Sequence, residues 1–222
     1  MEENRKTTAK ERILKAAVKV FAQKGYSATT TREIVKEAGS SLSMLDLYFG
    51  TKENLYKKVI EHVLEVYVFP SLPVFGQLVN DRKQGNTSPE HAWNQIEILT
   101  RKLLDIVTNP DNYYEIMLIN RELQTKDHFV DELEPALMYI YNFQMLFEEY
   151  AQVEFGTGWA RILSVQTVTG MFNLLTYQSM VKPFEEVFSY LLPEPLNDRE
   201  TVEFMYQYFL SSIKGTIECY KR

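Results

Sequence analysis

Two Thr-x-x-Glu sequences, Thr8–Glu11 and Thr30–Glu33, each stand directly ahead of an apolar run at helical spacing. A threonine at the cap and a glutamate three residues on satisfy two orphan N–H groups of a helix start reciprocally. Behind the first box, Ile13, Ala17, Val20 and Phe21 share one face, and Gly25 closes the run. Behind the second, Ile34, Val35 and Ala38 share a face and Gly39 ends it. A third short helix opens after Ser41 and reaches Phe49. With nine glycines and eight prolines in 222 residues, the chain has too few breaks for many short strands, so the expected fold class is all-α.

The rest of the chain follows the same pattern. A fourth helix is expected over Lys52–Phe69, with Leu55, Val59, Val63 and Val66 as its stripe. Pro70, Pro73 and Gly76 break the pattern, and the residues from Asn80 to Ser88 read as a loop. Ser88 and Pro89 then start a helix to Thr108, and Asn109–Asp111 is a turn. Further helices are expected over Asn112–Gln124, from about Pro135 to Phe155, over Trp159–Val181, and from the Asn197/Glu200 box to Cys219.

Charge divides the chain. Residues 1–60 carry twelve Lys and Arg against seven Asp and Glu, a net +5; the rest carries twelve against twenty-three, a net −11. A basic head on an acidic body implies that the head meets a polyanion. One cysteine, Cys219, excludes an internal disulfide framework and a CxxC metal site. The polar N-terminus lacks a signal-peptide pattern, and no apolar run approaches the ~18 residues of a membrane helix, so a soluble cytoplasmic protein is expected.

Two short helices joined by a glycine-led turn, Arg32–Gly39 and Leu42–Phe49, form the arrangement that places a second helix in the DNA major groove. Ala38 lets the helices cross closely, and Leu45 and Phe49 anchor the second on the core. Leu42, Ser43, Met44, Asp46 and Leu47 then fall nearer the outer face. An ordinary α-hairpin has the same periodicity.

From Lys10 to Glu61 the sequence resembles the N-terminal domain of the TetR family. The matching residues are Arg12–Ala17, Phe21–Tyr26, Ala28–Thr31, Ile34, Ala38-Gly39 and, after the turn, Leu45 through Leu55 with Tyr48, Phe49, Lys52 and Glu53. The resemblance implies a three-helix helix-turn-helix DNA-binding domain over 7–67, its motif at about 30–49. It implies a larger helical ligand-binding and dimerisation domain over 68–222. It also implies that Thr30, Thr31, Tyr48 and Lys52 face phosphates and that Ser41, Ser43 and Met44 lie at base edges. Arg5 and Lys6 would reach the minor groove from an N-terminal arm. Two departures stand out: Leu42 occupies a position often basic in the family, and Asp46 one often tyrosine. The expected recognition helix contains no Lys or Arg, so bidentate Arg–guanine readout from it is excluded.

Beyond residue 68 the resemblance fades. The Trp159–Val181 and final helices are apolar on several sides, which calls for a partner. A homodimer interface through Val168, Phe172, Leu175, Met205, Phe209 and Ile213 is expected, matched to a palindromic operator. Trp93, Tyr113, Tyr114, Met117, Met138, Tyr141, Phe172 and Tyr177 supply aromatic and methionine surface suited to a small apolar or amphipathic ligand, although such residues also build ordinary cores. The histidines His62, His91 and His128 have no metal-ligand spacing, Gly156-Thr157-Gly158 lacks a nucleotide-loop context, and no acid/base pair stands out. No enzyme, metal or cofactor is expected. Three functions compete: a repressor released by a ligand, a ligand-binding dimer whose head no longer binds an operator, and a DNA binder without sequence preference.

Overall fold

The computed structural model describes residues 8–68, 72–125, 134–154, 156–181 and 199–220. Every regular element among the described residues is a helix, and none is a strand. The helices are α1 (Ala9–Lys24), α2 (Thr31–Glu37), α3 (Leu42–Phe49), α4 (Lys52–Tyr67), α5 (Leu72–Lys83), α6 (Pro89–Thr108), α7 (Tyr113–Thr125), α8 (Glu134–Ala151), α9 (Gly158–Val181) and α10 (Arg199–Tyr220). A short 3₁₀ turn, Pro110–Asn112, leads into α7.

Both capping boxes form. Thr8 accepts from the Glu11 amide and Thr30 from that of Glu33, and each glutamate accepts from its cap residue's N–H. The stop signals also hold, since Gly25 and Gly39 have φ of +79° and +56°. Such angles are strained for any residue with a Cβ. Two calls change. α5 runs through Pro73 and Gly76 to Lys83, where a break and the start of a loop are expected from composition. Proline is tolerated in the first turn of a helix, where its missing N–H has no partner to lose. Val66, expected in the buried stripe of α4, is exposed; Tyr56, Ile60 and Leu64 are buried beside Leu55, Val59 and Val63.

The chain divides into two compact units. The first is built on α1–α4 and also includes α7. Within it α1 packs on α2, α3 and α4. Its centre is aromatic: Phe21 meets Tyr56 edge-on at 4.7 Å, and Tyr26 meets Tyr56 at 5.0 Å. α7 sets Tyr114 beneath the Lys19 ammonium, 5.8 Å from the ring centre. It also lays the Arg121 guanidinium on Gly25, where a Cβ would sit only 3.1 Å from Nη1.

The second unit is built on α5, α6 and α8–α10. α6, α9 and α10 pack against one another. Arg101 of α6 stacks on the Tyr206 ring at 3.6 Å and bonds Glu203 at 2.6 Å, both on α10. The Gln207 amide and then Arg101 hold the Glu203 carboxyl below its usual range. α8 is buried over the whole of 142–148.

Candidate nucleic-acid interface

The α2–α3 turn is closed by backbone bonds. The Ser40 N–H donates to the Val35 carbonyl at 2.9 Å and the Gly39 N–H to that of Lys36 at 3.3 Å. Ser41 then caps α3 by accepting from the Met44 amide, and its hydroxyl lies 2.9 Å from that of Ser43. Leu45 and Phe49 are buried and fix the helix on the core. The opposite face is open: Ser43 and Asp46 are exposed, Leu47 is 73% exposed, and Leu42 and Tyr48 are about two-fifths exposed. Met44 is half-buried. A helix anchored at two positions and open over the rest is the shape a groove-reading element requires.

Ion pairs hold α1 to α2. Lys19 bonds Glu37 and Lys24 bonds Glu33, both at 2.5 Å. Lys24, with the Thr30 backbone and hydroxyl, lowers the Glu33 carboxyl to about 2. Glu33 therefore completes the cap at Thr30 in its charged form.

The predicted phosphate contacts occupy different settings. Thr30 is exposed at the α2 cap, and Thr31 is half-buried behind it. Lys52 is half-buried, and its ammonium donates to the carbonyls of Tyr26 and Thr29 at 2.9 and 3.0 Å. At most one of its three N–H donors remains for a phosphate. Arg5 and Lys6 lie outside the described residues. Sequence reasoning passed over Arg32 and Lys36, exposed cations on α2. Their position on the helix preceding the turn was the available signal.

The expected dimer residues occupy different settings within the chain. Val168, Met205, Phe209 and Ile213 are buried within the chain's own second unit. The Phe209 ring lies where a Cβ on Gly170 would meet it at 3.4 Å, so Phe209 joins α10 to α9. Phe172 is half-buried, and the Leu175 side chain lies outside the described residues. Among the described residues, the apolar side chains that α9 and α10 turn outward include Ile162, Val165, Phe204 and Tyr208. Periodicity shows that a helix buries several faces but not which face meets its own chain.

The expected pocket residues fall in both units. Tyr114 and Met117, half-buried on α7, belong to the first; Trp93, Tyr113, Met138, Tyr141 and Phe172 belong to the second. Trp93 donates to Glu97 at 2.8 Å, and its ring lies 5.1 Å from that of Tyr150. Tyr141 is exposed, and the Tyr177 side chain lies outside the described residues.

Comparison with known proteins places this geometry. Residues 13–59 match the family model for bacterial regulatory proteins of the tetR family. A probable HTH-type transcriptional regulator of Bacillus subtilis, YttP, is 25% identical over 65% of this chain and 65% of its own length. The HTH-type transcriptional repressor NicS of Pseudomonas putida is 43% identical over 24% of this chain and 26% of its own length. The chain spans between 19% and 65% of the length of the first curated relatives it matches. A mutant of HlyIIR shares the fold over 92% of this chain and 95% of its own, with a TM-score of 0.55 at 20% identity. Residues 13–59 are thus a TetR-type head, and the chain shares its all-helical fold with a solved structure over nearly its whole length.

Proposed function

We propose that the chain is a homodimeric, sequence-specific DNA-binding repressor released from its operator by a small molecule. The observation that carries this reading is α3, anchored by Leu45 and Phe49 and open at Ser43, Asp46, Leu47 and Tyr48, in a head matching the family model. α3 carries no Lys or Arg, so affinity comes from phosphate contacts and apolar contacts to thymine methyl groups. Thr30, Thr31, Tyr48, Arg32 and Lys36 are the proposed phosphate contacts. Ser41, Ser43, Met44 and Leu47 are the proposed base-edge contacts. That a relative is named a repressor supports the sign of regulation.

The second copy is proposed to dock on the outward face at Ile162, Val165, Phe204 and Tyr208. A two-fold pair of heads suits a palindromic site. No described helix is long and apolar enough to cross a membrane. The proposed site of action is the cytoplasm.

Footprinting of genomic intergenic DNA with the full chain tests the reading. Two protected half-sites with centres ~34–36 Å apart are expected. A second reading, a ligand-binding dimer whose head no longer recognises an operator, is favoured by the exposed carboxylate of Asp46 on α3. It predicts no footprint on any fragment, with dimerisation intact.

A further inference from the structure

Helix α8 carries an imbalance of hydrogen-bonding groups. Residues 142–148 are all buried, and three of them, Asn142, Gln144 and Glu148, are polar. Much of Glu148 is explained by the fold. Its Oε1 accepts from the Gly156 and Thr157 amides at 2.9 and 2.8 Å, the Thr157 hydroxyl at 2.9 Å and the Gln144 amide at 3.1 Å. That cluster ties the end of α8 to the start of α9.

Asn142 and Glu149 are not explained this way. The Asn142 Nδ2 donates to the Met138 carbonyl one turn back. A carbonyl only accepts, so this fixes the amide orientation and turns Oδ1 the other way. That Oδ1 is buried and faces no donor, and Glu149 Oε1 is buried in the same condition. Positions 138, 142, 145 and 149 follow the i, i+4, i+7, i+11 spacing of one helical stripe, here Met-Asn-Met-Glu. At 1.5 Å per residue, the two acceptors are separated by about 10 Å along the helix. Met145 between them is buried, while Met138 is half-buried.

Nothing described in the protein balances this stripe. No buried polar side chain among the described residues is a Lys, Arg or His, and no ion pair among them involves Glu149. The described residues contain no group of three carboxylate, His or Cys ligands for a metal. A bridging water would satisfy Asn142 but bring no counter-charge to Glu149. The partly exposed Glu149 side chain gives a cation a way in from solvent.

We propose that the Met138–Asn142–Met145–Glu149 stripe seats the effector, and that the effector is an amphipathic organic cation. Its ammonium or amidinium N–H group pairs with Glu149, its apolar body lies along the methionines, and a second donor reaches the Asn142 carbonyl. This rests on the ligand-responsive regulator reading and gives its ligand a chemical class. The test is calorimetric titration of the full-length protein with three probes sharing one tail: n-decylammonium, n-decanol and n-decanoate. Decylammonium is expected to bind at least tenfold tighter than decanol, with decanoate weakest. Glu149→Gln should bring decylammonium down to the decanol level and leave decanol binding unchanged. The proposal is overturned if decanol or decanoate binds as tightly as decylammonium, if none of the three binds, or if Glu149→Gln keeps the preference. The probe comparison on the unsubstituted protein stands even where a variant misfolds. A gel shift on the same preparation separates the two readings. Absent DNA binding defeats the regulator whatever the calorimeter shows, whereas DNA binding without a cation preference defeats only the ligand class.

Discussion

Lys52 and Tyr26, twenty-six residues apart, form one clamp: the ammonium donates to the Tyr26 carbonyl at 2.9 Å and lies 4.2 Å from the centre of the Tyr26 ring. A second bond to the Thr29 carbonyl extends the clamp to the residue before the α2 cap. The start of α4 thus holds the loop that positions Thr30. Lys52→Met keeps the stem and removes the ammonium. Charged hydrogen bonds and a cation–π contact of this kind predict a loss of about 1–3 kcal/mol in the DNA-free protein. Thermal unfolding without DNA measures it. A lysine whose role is confined to a phosphate would leave that transition unmoved and weaken DNA binding alone.

Glu33 links the head to pH. Its folded-state carboxyl is lowered to about 2, first by Lys24 and then by the Thr30 cap. A depressed pKa contributes stability that is present above the unfolded value and lost as pH falls through the folded one. The contribution of Glu33 is therefore complete at neutral pH and disappears between the ordinary carboxylate range, ~4.3, and about 2. Melting curves of the parent and Glu33→Gln across that window should converge as pH falls. A gap of constant size would show that the charge of Glu33 contributes nothing.

The outward face of α9 and α10 makes a prediction that separates interface from core. Phe204 is 71% exposed and Tyr208 60%, whereas Phe209 is buried on Gly170. Light scattering at micromolar concentration should give twice the 26.0 kDa chain mass for the parent and the single mass for Phe204→Glu. Phe209→Ala should instead lower stability by about 3–5 kcal/mol through the cavity it opens. A Phe204→Glu protein that stays dimeric places the interface elsewhere.

Local chemistry made much of the head legible. Thr30, Glu33, Gly39 and Ser41 act on their immediate neighbours, so the two short helices and their turn could be read from spacing, whereas their reading as a helix-turn-helix rested on the family resemblance. Longer-range relations could not. The placement of α7 beside α1 depends on Arg121 fitting over Gly25, which no periodicity encodes. Val168 and Phe209 were recognisable as buried, but not that Phe209 of α10 packs against Gly170 of α9. Met138 was legible as candidate ligand surface, but the polar part of the α8 stripe was not, and only the buried, undonated oxygens of Asn142 and Glu149 mark it.

Asp46 is exposed on α3, one residue after the buried Leu45. A carboxylate there either weakens binding to all DNA by repelling phosphate or accepts a hydrogen bond from a cytosine amino group. Repulsion is the expected role, because the family often carries a tyrosine at this position. Asp46→Asn should then tighten binding to operator and random DNA alike, most at low salt. A fall of ~1–3 kcal/mol in operator binding alone would identify cytosine readout. An unchanged affinity on both duplexes would put Asp46 away from the DNA.

Sequence-specific DNA recognition by the α2–α3 head is the central claim. Fluorescence anisotropy with the footprinted operator and a scrambled duplex of equal length, at 50 and 200 mM salt, addresses it most directly. The account predicts that the operator binds about 10³-fold or more tightly than the scrambled duplex, with both affinities falling as salt rises. Equal affinity for the two duplexes at both salt concentrations would contradict it.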